Sequence, residues 1–125
     1  MSEFVVRKAT VLEDISAILD EYEPSVRAVF EHDTLEDRRR YFEGSERRLE
    51  VIEHEFRTIA LLEADEPSRT QALDTAEAIS TLILVFDLAT DEDTEPESII
   101  GEIDRRVAIL SGEVKELAAI WNGDS

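Results

Sequence analysis

Glu46, Glu50 and His54 recur at four-residue intervals, which on a helix stacks them one turn apart on a single face. Two carboxylates and an imidazole in such a row could clasp a divalent cation at the helix surface. Bundles that bury paired metals use inward-pointing Glu residues and Glu-x-x-His motifs instead. No Glu-x-x-His occurs in this chain, because Val51 stands three residues before His54 and Val29 three before His32. Glu-x-x-Glu occurs at Glu43–Glu46, Glu50–Glu53, Glu63–Glu66, Glu92–Glu95 and Glu113–Glu116. About three such pairs arise by chance at this Glu content, so the spacing carries little information. The row from Glu46 to His54 also points away from the apolar seam of its own segment. The expectation is no metal site and no cofactor, with Glu46, Glu50 and His54 as the weak exception.

The stretch EDRRRYFEGSERR, residues 36–48, holds five arginines and two aromatics and could pass for a phosphate or nucleic-acid patch. Its spacing argues otherwise. Glu3–Arg7, Glu23–Arg27, Glu36–Arg40, Glu43–Arg47, Glu53–Arg57 and Glu102–Arg106 all place Glu four residues before Arg, the favoured order for pairing along a helix. Six of eleven arginines have such a partner, against about two by chance at this composition. Arg38, on the seam side, and Arg48 stand outside the pattern and are the anion-binding candidates. For nucleophilic catalysis, Ser16, Ser45, Ser80 and Ser111 lie in no Gly-x-Ser-x-Gly turn, and no glycine-rich phosphate loop is present. All-α NTP pyrophosphohydrolases follow Glu-x-x-Glu with Glu-x-x-Asp, and phosphate-uptake regulators carry Glu-x-x-x-Asp. Neither second motif occurs here.

The elements that must position these residues read as four helices. Capping-box patterns, which satisfy free N–H groups at a helix start, appear at Thr10…Glu13, Asp33…Glu36, Ser68…Gln71 and Thr94…Glu97. Each precedes apolar residues spaced by three and four. The seams run Leu12, Ile15, Leu19, Tyr22, Val26, Val29; then Leu35, Phe42, Leu49, Ile52, Phe56, Ile59; then Ala72, Ala76, Ile79, Ile83, Phe86; then Ile100, Ile103, Val107, Leu110, Val114, Leu117, Trp121. The spacing predicts helices over about 11–31, 34–64, 69–90 and 95–122 in one domain spanning 1–125. Short connections near His32, residues 64–67 and residues 91–93 make neighbours antiparallel, which yields an all-α, up-down-up-down four-helix bundle. Pro24 should kink the first helix near Glu23, while Gly44 leaves the phase of the second intact. Residues 1–9 receive no assignment. The non-apolar residues noted on seam sides are Arg38, Ser45 and Thr90.

One segment resists this pattern. STLILVFDLAT, residues 80–90, is apolar from Leu82 to Phe86, and its back face carries Leu84, Val85 and Leu88. Either the kinked first helix covers that face or a second copy of the chain does. Leu84, Val85 and Leu88 are therefore the expected interface. On the fourth helix Gly101, Ala108, Gly112 and Ala119 line up opposite the seam, which reads as a solvent face of small residues.

Composition bounds the function. The chain has 125 residues, enough for one core. It carries 31 acids against 13 bases, a net charge of −18, with lysine only at positions 8 and 115 and no cysteine. Acid excess, scarce lysine and absent cysteine together resemble the composition of proteins from salt-in halophilic archaea, a likeness that implies no family. The physics agrees, because a self-repelling charge of this size is screened once the Debye length falls to ~3 Å near 1 M salt. No stretch reaches the ~18 apolar residues of a membrane span, and MSEFVVRKAT lacks a signal-peptide core, so the chain reads as cytoplasmic. Its acidity disfavours nucleic acid as a partner. These observations lean away from an enzyme and toward a salt-adapted bundle that works by binding protein, itself included, as a homodimer. The alternatives are a metal-dependent bundle enzyme or regulator, such as a degenerate nucleotide hydrolase, and an acidic DNA mimic that occupies a basic protein.

Overall fold

The computed structural model describes residues 2–32 and 34–123, the side chains of Glu23 and His32 excepted. Four helices follow in order: α1 (Glu3–His32), α2 (Leu35–Leu62), α3 (Glu66–Leu88) and α4 (Pro96–Trp121), with no strand among the described residues. They form the helical bundle that the seams predict, with α1 kinked where Pro24 removes a backbone donor. Each helix packs against its two neighbours in the ring α1–α2–α3–α4, and the diagonal pairs make no close backbone approach. Aromatic side chains fill the centre and join the diagonals there. The Tyr22 ring meets Phe86 edge-on at 5.1 Å, linking α1 to α3, and Phe56 lies 6.3 Å from Trp121, linking α2 to α4. Phe42 packs 5.0 Å from Phe86 and 5.8 Å from Phe30.

The ring is uneven. α3 lies close against α2 and α4, whereas α1, the longest helix, stands further from both its neighbours. Side-chain size accounts for this. The buried face of α3 includes Ala72, Thr75 and Ala76, which let neighbouring backbones approach, while α1 buries Val11, Ile15, Ile18, Leu19, Tyr22, Val26 and Val29. Open grooves therefore flank α1 on both sides. One of about 470 Å³ runs between α1 and α4 past Leu19, Tyr22, Arg27 and Val107. Another of about 360 Å³ lies between α1 and α2 over Val6, Val11, Val51 and Ile52.

Helix starts depart from the capping-box expectations. Thr10 is interior to α1, which begins at Glu3, so the segment left unassigned is helical from Glu3 on and brings Phe4 and Lys8 into the packed phase. Glu13 then has no orphan donor to satisfy. Asp33 lies outside the described residues. The N-cap of α2 is its neighbour Thr34, whose hydroxyl accepts from the Asp37 N–H at 3.2 Å. Asp65, not Ser68, caps α3, accepting from the Ser68 N–H at 3.1 Å and setting Pro67 in the first turn, where its missing N–H is harmless. α4 starts after Glu95, with Pro96 as its first residue and no side-chain cap, while the Thr94 hydroxyl donates back to the Leu88 carbonyl. Both starts carry a proline in the first turn, where its missing N–H is harmless. α2 runs unbroken through Gly44. Past the end of α4, Gly123 takes φ 75°, a left-handed turn that a side chain would oppose.

Candidate functional site

The metal row remains a row. Glu50 and His54 are exposed and Glu46 is half-buried, all on the outer side of α2. Among the described residues no three His, Asp or Glu side chains come together as metal ligands do. Burial first, then the charges of Asp87, Glu50 and Glu43, push the Glu46 carboxyl above its usual range. That is the behaviour of an acid crowded by acids.

The two anion candidates serve structural ends. Arg48 forks onto Glu21 of α1, at 3.2 Å for the closer contact. Arg38 stacks over the Phe30 ring at 4.8 Å, and with Arg39 it reaches across to the end of α3. The Arg39 Nε donates to the Thr90 carbonyl at 2.8 Å, and an Arg38 terminal nitrogen to the Asp91 carbonyl at 3.5 Å. Both carbonyls belong to the turn just past Leu88, which places the two cations near the negative end of the α3 dipole. Of the six expected helical pairs, Glu36–Arg40, Glu53–Arg57 and Glu102–Arg106 form. Arg7 turns to Glu55 of α2 instead, and Glu43–Arg47 does not close. The pair from Glu23 lies outside the described residues. Arg27 approaches Glu97 of α4 at 3.9 Å.

The apolar back of α3 is uncovered. Leu84 is 67% exposed and Leu88 60%, one turn apart on the outer edge of the bundle. α1 does not reach them, since its backbone approaches α2 and α4 and it meets α3 only through core rings such as Tyr22 on Phe86. Val85, expected beside them, is only 6% exposed and belongs to the core, because it turns inward with Leu82 and Phe86. Leu82 takes the central position that the expected seam assigned to Ile83, which is half-buried. Ile109 of α4 is also exposed and borders a shallow groove between α3 and α4 with Asp74, Glu77, Thr81 and Arg106. Arg105 and Arg106 there share Glu102.

At the opposite end a network joins α1, α3 and α4 to the connection after α2, and its cation lies in the unassigned segment. Lys8 Nζ sits 2.6 Å from Glu63 Oε2, over the rings of Phe4 and Trp121. The Ser68 hydroxyl donates to the same carboxylate oxygen at 2.9 Å and accepts from Trp121 Nε1 at 2.7 Å. The Asp65 N–H donates to Glu63 Oε1 at 3.2 Å. Burial opposes the Glu63 charge. The hydrogen bonds from Lys8, Ser68 and Asp65, with the Lys8 charge, outweigh it and hold the carboxyl below its usual range. The sequence carries a faint signal for this site. Lys8 keeps phase with Phe4, Val11 and Ile15, so a scarce residue type occupies a seam position. The network is a clamp, since every polar atom in it is committed to another.

No known protein family, curated protein or solved structure matches the chain. Function must therefore be argued from the surface. No helix is long and apolar enough to cross a membrane among the described residues.

Proposed function

We propose that the chain is a salt-adapted, cytoplasmic interaction module that pairs with a second copy of itself through the outer edge of α3. The observation that carries this reading is the exposure of Leu84 and Leu88 one turn apart on a helix that buries most of its other apolar residues, Leu73 being the other exposed one. Covering each would gain roughly 1.5–3 kcal/mol. The occupant follows from charge. A chain of net charge −18 repels its own copy over most of its surface. The face shared by α3 and α4 differs, because Arg105 and Arg106 lie there among Glu102, Asp74 and Glu77. A two-fold copy can set those bases against those acids while the leucines and Ile109 meet. High salt removes the remaining long-range repulsion.

The test is light scattering in about 2 M KCl, where the Debye length is below ~3 Å. The native chain should have the mass of a dimer, and Leu84→Glu that of a monomer with unaltered helical circular dichroism. A monomeric native chain, or an unchanged mass in the variant, removes the reading.

A further inference from the structure

The groove between α1 and α2 continues beyond the hollow over Val6 and Val11. A second hollow of about 370 Å³ adjoins it, and the two share Asp14, Val51 and Ile52. Their α1 wall runs from Glu3 to Ile18, about 22 Å at the α-helical rise. Val11, Ile18 and Ile52 form a buried floor, while Val6 and Val51, 47% and 71% exposed, stand on the lips. The bases on the walls are already taken, Arg7 by Glu55 and Arg48 by Glu21. Glu3 and Asp14 line the same walls, are exposed, and have no ion-pair partner among the described residues.

We propose that this groove receives a basic amphipathic helix of a partner protein, its apolar stripe on the valine and isoleucine floor and its Lys or Arg side chains toward Glu3 and Asp14. The shape selects a helix. Past the first turn of α1, the backbone groups along the walls are engaged within the two helices. An extended peptide would find no main-chain partner there and would press unpaired N–H and C=O groups against an apolar floor. A helix satisfies its own backbone and offers side chains at the spacing that packs between two others. A small molecule would be left largely in water between lips as open as Val51. Charge then selects the partner. A second copy, of net charge −18, would bring acids to a rim already acidic, whereas a basic helix meets complementary charge. α3 contributes nothing to these walls, so the inference is independent of the pairing proposed above.

The probe is a fluorescein-labelled peptide of about 16 residues, with Leu at three- and four-residue intervals and Lys elsewhere. Fluorescence anisotropy against the full chain in about 1 M KCl reads its affinity, since that salt screens non-specific attraction to the acidic surface. The Kd should lie below about 100 μM. A scrambled peptide of the same composition should bind at least about tenfold more weakly, and one with Glu for every Lys at least about fivefold. Val51→Lys and Val6→Lys alter exposed side chains, preserve the fold, and should each weaken the basic peptide about tenfold. Leu84→Glu on α3 should leave its affinity unchanged, whatever it does to pairing. A Kd above that limit, equal binding of the scrambled or acidic peptide, or indifference to both valine substitutions would each overturn the inference. So would a fall in light-scattering mass in Val51→Lys, which would assign the groove to a second copy.

Discussion

Lys8→Met deletes the one cation of the clamp while keeping much of the aliphatic stem. Its effect can be sized from the geometry. At 2.6 Å the gross attraction between Lys8 and Glu63 is on the order of 6 kcal/mol at an effective dielectric near 20, most of it offset by desolvation. The Glu63 side chain is 10% exposed and that of Lys8 20%. The pair therefore falls between surface ion pairs, worth ~0–1 kcal/mol, and fully buried ones, whose breakage costs about 3–5 kcal/mol. The Ser68 hydroxyl and Asp65 N–H stay on the carboxylate and soften the loss. Loss of the cation from the faces of Phe4 and Trp121 adds about 0.5 kcal/mol. Lys8→Met should destabilise the fold by about 2–3 kcal/mol. A cycle with Glu63→Gln should return a coupling of about 1.5–2 kcal/mol. Urea unfolding in about 2 M KCl at fixed protein concentration measures it, because a buried pair survives salt that silences surface charges. Trp121, the single tryptophan, touches the network and reports its opening by fluorescence. Coupling below about 0.5 kcal/mol would refute the clamp.

The same carboxylate fixes a pH dependence. Glu63 titrates lower in the folded chain than its unfolded value of about 4.3. Its contribution is therefore fully present above that value and is lost as pH falls through the folded pKa. The stability difference between the native chain and Glu63→Gln should be flat at neutral pH and shrink on acidification. A difference that grows toward acid would reverse the assignment.

Two further outcomes follow from the fold. A Cβ added at Gly44 meets open space within a continuous helix, so Gly44→Ala should raise stability by about 0.5–1 kcal/mol in thermal or urea unfolding, and any loss would show that the helix is broken there. Helical circular dichroism should fall when salt is lowered from about 1 M to 0.1 M, as the Debye length grows from ~3 Å to ~10 Å and the net charge of −18 repels itself; full retention would remove the salt-adapted reading.

Periodicity made the bundle legible because burial acts on one face of each helix, and a helix repeats that face every three or four residues. Ile15, Leu49, Phe56, Ile103 and Leu110 are buried as their spacing requires. Boundaries were less legible because several residues in each junction can cap. Asp65 and Ser68 both offer an acceptor, and Pro67 suits either choice, lying just before a helix capped at Ser68 or in the first turn of one capped at Asp65. Thr10 and Glu13 spell a cap in mid-helix, where the preceding turn, with Phe4 and Lys8 packed, leaves nothing to cap.

Sites divide along the same line. Pairs within one helix follow from spacing, as Glu53–Arg57 and Glu102–Arg106 do. Pairs between helices depend on register, which short-range pattern does not specify. Arg7 therefore leaves Glu3 for Glu55, and Lys8 finds a carboxylate in the connection after α2. The readable trace of such contacts is a polar residue in apolar phase: Lys8, Tyr22, Ser45, Ser68 and Thr75 all occupy buried or half-buried seam positions. Thr75 satisfies itself locally by donating to the Gln71 carbonyl, and Ser68 is satisfied by the clamp. Tyr22 and Ser45 instead face each other across α1 and α2. A bundle held only by interchangeable aliphatic seams can slide or re-pair, and a polar group that must meet a particular partner penalises every register but one. Lys8 in the clamp and Tyr22, packed on Phe86 two residues before Pro24, both belong to α1, the helix that its neighbours hold least closely. They are placed where apolar packing alone specifies position least.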